Sequence, residues 1–429
     1  MKEKLLQFIW QFQYFNKSNL FTTLDKPIII LVPGHINFNQ GPDFTDAKIK
    51  SGETIWVGNI EIHIHSSDWN LHKHSNDKNY NNIILHVVWV HDMEIQDING
   101  VILPTLELRN LVSKVLLNRY EELMQSSLYI PCQMQITLID ELVLSKWKER
   151  LVIERLIRRT KVIDNLLSEN NTHWEETFWW LLARNFGITV NSDCFEKIAR
   201  SIPLHILSNH KDQIHKLEAI LFGQASLLDQ KFNEAYPIML QKEYNYYKKK
   251  YNLQKIPLHL FFLRMRPANF PSLRLAQLAM LLSKSSHLFS KIKDALSIKQ
   301  VINILEVTAN DYWHYHYRFD EPGTYKKKAI GAHMINNIII NTIVPVLFAY
   351  GCHHNDNRYK EKAVHWLEQI EGEKNAIIKG FQEIGLTNKN AFTSQALIEM
   401  KSFYCDAKRC LECSIGNALL NNKNNIGPV

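Results

Sequence analysis

The sequence predicts an α+β fold. Strand-forming runs are confined to the first quarter of the chain, helical periodicity fills the rest, and apolar spacing changes from two to near 3.6 residues between them. Residues 1–15 read as a helix because Leu5, Ile9, Phe12 and Phe15 recur near helical spacing. Pro27 to Val32 is β-rich. Phe44 to Ile49 and Thr54 to Ile64 alternate, with Gly52 in the turn between them. Ile83 to Val90 and Val101 to Leu108 are further β-type runs, so the order is a helix, three strands, an irregular polar segment and two more strands. From about Leu111 strand signals nearly vanish. Asp140 to Leu167 reads as a long amphipathic helix, with Trp147, Leu151, Ile157 and Ile163 on or near one face and Glu154–Arg158 as an i,i+4 pair. Helical patterns recur at 173–186, 214–229, 272–292, 297–309, 328–350, 359–384 and 392–404. Gly187, Pro203, Pro267, Pro271 and the turn Glu321-Pro322-Gly323 punctuate them. The expected division is an α/β domain over 1–110 and a helical region over 111–429, with a polar tail, Asn421 to Asn425, that frays.

An apolar fraction of 45% in 429 residues excludes a globally disordered chain and supplies sizeable cores. The net charge of +7 permits a nucleic-acid partner without demanding one. Gln7, Gln11 and Gln13 interrupt the N-terminal apolar stretch and no small-residue cleavage site follows it, which argues against a secretory signal. The run Ile335 to Tyr350 contains Asn336, Asn337, Asn341 and Pro345 and reads as a buried helix, so no membrane partner is expected. Six cysteines in so long a chain do not make a disulfide scaffold; a reducing cytoplasm is the expected location.

The chemistry concentrates in Gly41-Pro42-Asp43-Phe44 and Glu61-Ile62-His63. Alternate residues of a strand share a face, so Glu61, His63 and His65 point one way while Ile60, Ile62 and Ile64 point into the core. Antiparallel pairing around Gly52 brings Asp43 beside Glu61. Asp43, Glu61 and the backbone carbonyl of Ile62 then offer hard oxygen ligands to Mg²⁺ or Mn²⁺, with His63 placed to orient or deprotonate a water. The blander alternative is a turn and an exposed strand carboxylate. Enrichment in His65, Asp68, His72, His74 and Asp77 around Trp69 favours a site. The same histidines also offer a Zn²⁺ or Mn²⁺ shell, His63-x-His65 with His72-x-His74 completed by Asp68 or Asp77, which would make a His-ligated hydrolase.

Pro42-Asp43 followed by Glu61-Ile62-His63 resembles the PD-(D/E)XK nuclease superfamily, and Asp77-x-x-Tyr80 before the run Ile83 to Val88 resembles its mismatch-repair endonuclease branch. The resemblance covers roughly residues 1–110. It implies a restriction-endonuclease-like fold and metal-dependent cleavage of DNA or RNA through Asp43, Glu61 and His63, or a scaffold of that fold that has lost the chemistry. His63 stands where that superfamily usually has Lys. Over the whole chain, Gly41 to Phe44, Glu61 to His74, Arg266 to Arg274 and Tyr404 to Gly416 resemble an uncharacterised family of bacterial proteins known only as a domain of unknown function.

Near the C-terminus, Cys405-x4-Cys410-x2-Cys413 has a spacing at which thiolates converge on zinc or an iron–sulfur cluster, with Cys352, beside His353 and His354, as the expected fourth ligand. The alternative is that these are packing residues. Arg264, Arg266 and Arg274 around Pro267 and Pro271 read either as a phosphate clamp or as interior ion-pair partners. Lys248, Lys249 and Lys250, interleaved with Tyr244, Tyr246, Tyr247 and Tyr251, read either as a single-strand grip or as a surface helix.

Overall fold

Turn chemistry and alternation place seven strands in the first 107 residues of the computed structural model, which describes residues 1–421 other than Phe38, Ile98 and Ser286. They are β1 (Leu20–Phe21), β2 (Pro27–Val32), β3 (His35–Ile36), β4 (Phe44–Ser51), β5 (Thr54–His65), β6 (Ile83–Val90) and β7 (Thr105–Glu107). The sheet order is β1-β2-β4-β5-β6-β7, with β3 also paired to β4. The pairs from β1 to β5 are antiparallel; β5–β6 and β6–β7 are parallel. This parallel setting explains the unbroken apolar run of β6, which is buried on both faces at Leu85, His86, Val87 and Val88. Gly52 has φ +59°, the positive φ required of the first residue of a two-residue hairpin turn, and links Ser51 to its partner Thr54.

One extra residue in β4 decides which side chains meet. Next to the turn, Ala47 pairs with Gly58 and Lys48 with Val57; beyond it, Phe44 pairs with Ile60. Two residues of β4, Thr45 and Asp46, therefore oppose one of β5, Asn59, and Asp46 has φ +59°. This β-bulge shifts the register by one, which carries Phe44 onto the buried face of Ile60 and Asp43 onto the face of Glu61.

The chain divides into two compact units, residues 1–147 with the segment from Met400 onward, and residues 148–399. The first holds the sheet, helix α1 (Glu3–Gln11), the short α2 (Asp68–Leu71) in the β5–β6 crossover, and α3 (Lys114–Gln125). α1 buries Leu5, Leu6, Phe8, Ile9 and Trp10, and Trp10 Nε1 donates to Pro33 O at 2.9 Å. It ends before the expected residue 15 because Gln13 turns to positive φ. The first unit also includes the 3₁₀ turn Gln133–Leu138, the π-helical turn Met400–Cys405, the 3₁₀ turn Cys410–Glu412 and the helix Ser414–Asn421. The expected fraying of the tail beyond Asn421 lies outside the described residues.

The second unit is helical, as the periodicity predicts. The stretch 272–292 divides into Pro271–Lys284 and Leu288–Asp294, with Ser285 extended between them. The stretch 359–384 divides into Asn357–Gln369 and Ala376–Glu383, where the Asn375 side chain caps the second helix by accepting from Ile378 N. Ala332–His353 is long and apolar enough to cross a membrane, but 72% of its apolar window is buried inside the protein, the pattern of a core helix. The helix Ile214–Gln224 buries Glu218 completely. Its Oε1 accepts from Trp313 Nε1 at 3.1 Å and its Oε2 from the Tyr236 hydroxyl, to which Asn310 Nδ2 also donates at 2.7 Å. Burial pushes this carboxyl up to about 7 despite those donors.

Candidate metal centre

Asp43 leads into β4 and Glu61 lies in β5, and the bulge sets them side by side. The Asp43 N–H donates to Glu61 Oε2 at 3.0 Å. Asp43 in turn accepts from Ile62 N through Oδ2 at 3.2 Å and from Gln7 Nε2 through Oδ1 at 2.9 Å. Burial, then the neighbouring Glu61 carboxylate, pushes Asp43 up to about 7. Gln7 and Glu3, one helical turn apart on α1, thus face the site; burial raises the Glu3 carboxyl as well, with Glu61 contributing. Sequence reading assigned neither of these residues, because an i,i+4 polar pair on an amphipathic helix looks like its solvent face.

The other Glu61 oxygen meets histidines. Oε1 lies 3.6 Å from His63 Nε2 and 3.4 Å from His74 Nε2. His63 Nε2 is 3.1 Å from His72 Nδ1, and one nitrogen from each of His63, His72 and His74 falls within 4.8 Å of the others. On the far side of the ring, His63 Nδ1 lies 2.9 Å from Nε2 of His86, the β6 residue paired with Glu61. A proton on Nδ1 directed at His86 leaves the Nε2 lone pair facing the cluster, the outer-shell arrangement that orients a metal-ligating imidazole. Burial, then His74 and His72, lowers His63 to about 3, and burial with His63 lowers His86 well below the ordinary imidazole range. Both rings are therefore neutral, the state that ligates metals. The buried His74 Nε2 forms no hydrogen bond. An orphaned nitrogen aimed at a carboxylate, among three imidazoles, fits a bound cation of the Zn²⁺ or Mn²⁺ class.

The remaining candidates sort by environment. Tyr80 stacks on His74 with ring centroids 3.9 Å apart, and Trp69, fully buried, donates to Ser75 Oγ at 2.9 Å and packs edge-on to His74. These contacts hold the loop that delivers His72 and His74. Asp68 accepts from His65 N at 2.9 Å and Asp77 caps a 3₁₀ turn by accepting from Asn79 N, so both serve local backbone; His65 is exposed at the end of β5. His86 was absent from the candidates drawn from sequence because it sits within the apolar run of β6.

Arg264 and Arg266 are exposed, whereas Arg274 is buried, donating to Gln277 Oε1 at 3.0 Å and Asn269 Oδ1 at 2.7 Å. Burial lowers it to about 10, which marks an interior arginine. Lys248, Lys249 and Lys250 end the helix Ala235–Lys250, with Lys250 Nζ 5.3 Å from the Tyr251 ring centroid. All six cations belong to the second unit, and Asp43 and Glu61 to the first. Cys352, exposed and with Lys360 and Asp164 as its electrostatic neighbours, also belongs to the second unit, while Cys405, Cys410 and Cys413 belong to the first.

A protein-family model matches residues 3–376. The chain belongs to the family described as protein of unknown function, DUF2851. That match takes in the whole candidate centre of this DUF2851 chain and stops short of the three C-terminal cysteines. Searches of curated proteins and of solved structures found no significant match.

Proposed function

We propose that this DUF2851 chain is a metal-dependent phosphodiester hydrolase acting on nucleic acid, with its ion held by Glu61, His63, His72 and His74. The observation that carries the reading is the meeting of Glu61 Oε1 with His63 Nε2 and His74 Nε2, the latter buried without a hydrogen bond. Three imidazoles and one carboxylate suit Mn²⁺ or Zn²⁺ better than Mg²⁺, which prefers oxygen ligands and keeps its waters. A bound ion of this class supplies a polarised phosphate oxygen and an ionised water. The chain's own part is to hold Glu61 through the Asp43 amide and to fix the His63 tautomer through His86. Nucleic acid as substrate is supported by the antiparallel run β2–β4–β5 with a parallel β6, Asp43 at the start of β4 and Glu61 in β5, which is the strand order expected of a restriction-endonuclease-like domain. The protein would act in the cytoplasm.

A second reading, a scaffold of the same fold, is favoured by the depth of Glu61 and His63, which are 5% and 1% exposed. One experiment separates the two. The purified protein is analysed for metal and assayed with Mn²⁺, Zn²⁺ and Mg²⁺ on single- and double-stranded DNA and RNA. Cleavage that is supported by Mn²⁺ or Zn²⁺ and lost in both Glu61→Gln and His74→Ala is the expected result. Metal bound at the histidines without cleavage leaves the scaffold, and neither metal nor cleavage removes the hydrolase.

A further inference from the structure

Three of the six cysteines crowd into nine residues, and the fold lays their segment against the stretch that holds a fourth, Cys132. Cys132 precedes the 3₁₀ turn Gln133–Leu138, in the loop that follows α3. The returning C-terminal segment packs on this same stretch. Lys401 Nζ lies 4.8 Å from the Tyr129 ring centroid, Lys408 Nζ donates to Met124 O, and Tyr404 meets Trp147 edge-on at 4.9 Å. Further along, Arg119 Nη1 donates to Leu419 O at 3.4 Å. Cys132, Cys410 and Cys413 are buried, Cys405 is partly so, and all are thiols. Burial raises the Cys405 thiol, with Cys413, Cys132 and Cys410 contributing, and raises the Cys132 thiol, with Cys413 and Cys410 contributing.

The local backbone is shaped around these residues. Cys405 closes a π-helical turn, where Asp406 N donates to Lys401 O at 2.9 Å, a distortion often found at functional sites. Cys410 and Cys413 flank a tight turn in which Cys413 N donates to Cys410 O at 3.3 Å. Gly416 is required there, because a Cβ would stand 2.1 Å from Cys410 O. The cations Lys401 and Lys408 bear on Cys405 and Cys410 respectively and would offset the negative charge of a thiolate cluster.

We infer that Cys132, Cys405, Cys410 and Cys413 form a tetrathiolate centre for a thiophilic metal, zinc or iron, which pins the C-terminal segment to the sheet-bearing unit. The centre is structural: four protein ligands leave no open position. It takes its fourth thiolate from Cys132 and leaves Cys352 outside.

The test uses full-length protein purified anaerobically in a His74→Ala background, so that metal at the histidines does not confuse the count. The expected result is about one zinc ion per chain, or iron with absorbance near 400 nm, lost in Cys132→Ser and in Cys410→Ser and kept in Cys352→Ser. Zinc without colour and iron with colour both sustain the centre and tell the two metals apart. Cobalt added to apo-protein with all four cysteines intact provides a readout that does not depend on how the serine variants fold, because thiolate coordination gives intense charge-transfer bands that histidine and carboxylate ligands do not. A metal-free protein that takes up cobalt without those bands overturns the inference, as does a Cys132→Ser protein that retains its metal.

Discussion

Each compact unit buries a carboxylate, and the two are finished differently. Glu218 in the helical unit has a donor for each oxygen, the Trp313 indole and the Tyr236 hydroxyl. Glu61 in the sheet-bearing unit has a donor for one oxygen only, the Asp43 amide; its other oxygen faces imidazole nitrogens at 3.4 and 3.6 Å, too far for strong hydrogen bonds. A buried acid whose lone pairs are matched by protein donors is complete as a piece of architecture. One that meets several imidazole nitrogens at a common point has the neighbours of a candidate metal ligand. Burial is similar in the two places; the chemical type of the neighbours is what distinguishes a structural acid from a candidate ligand.

The largest expected effect follows from breaking the unfinished side. Glu61→Gln and His74→Ala should each lower metal affinity by more than about 100-fold, since changes to outer-shell partners alone cost 10–100-fold. Isothermal titration with Mn²⁺ and Zn²⁺ measures this directly, and near-wild-type affinity in both variants would erase the contrast with Glu218. Next comes the finished side. Glu218→Ala strands the Trp313 and Tyr236 donors and opens a cavity, and should destabilise the helical unit by about 2–4 kcal/mol in denaturant unfolding without affecting metal binding.

The same residue gives a pH signature. The Glu218 carboxyl is raised from 4.5 to about 7 in the fold, so its protonated form favours the folded state. Its contribution is fully present below pH 4.5 and is lost as pH rises through 7, amounting to about 3 kcal/mol across that window. Melting temperatures at pH 5 and pH 8 should therefore differ less in Glu218→Gln than in the wild type; equal differences would mean that other groups set the pH dependence. His86→Ala, which removes the orienting partner of His63 and opens a cavity beside Trp69, should weaken metal binding by about 10–100-fold and also lower the melting temperature of the metal-free protein. The smallest effect belongs to Gln7→Ala, which removes one hydrogen bond to Asp43 worth about 1 kcal/mol and should be visible only as a slight loss of stability.

Much of the sheet was legible because hydrophobic alternation and glycine turns are local signals. Gly52 placed the β4–β5 hairpin, and the unbroken run at Ile83 marked a strand. The two-residue strands β1 and β3 carry too few residues to show a period. Of the centre, Asp43, Glu61 and His63 were read from spacing, and His72 and His74 from local enrichment, but their convergence depends on how the crossover between β5 and β6 folds back over the sheet. His86 was hidden because strand periodicity reads an imidazole in an apolar run as packing. Cys132 was hidden for a different reason: its neighbourhood is made by the return of the chain at Met400, a contact between segments far apart in sequence that no local pattern encodes.

The extra residue at Asp46 has a consequence for how such sites are recognised in other chains. The hairpin tip keeps one pairing frame and the Asp43–Glu61 end another. Two proteins that share an acidic pair at this same separation of 18 positions differ completely if one lacks the insertion, since its aspartate then lies on the opposite side of the sheet from its glutamate. Parity along the strand, rather than spacing in the sequence, is what is inherited when the centre is inherited. Deleting Asp46 removes the bulge and leaves Thr45 opposite Asn59, so Asp43 stays on the face of Glu61; a regular hairpin that keeps the separation of 18 is what parts them.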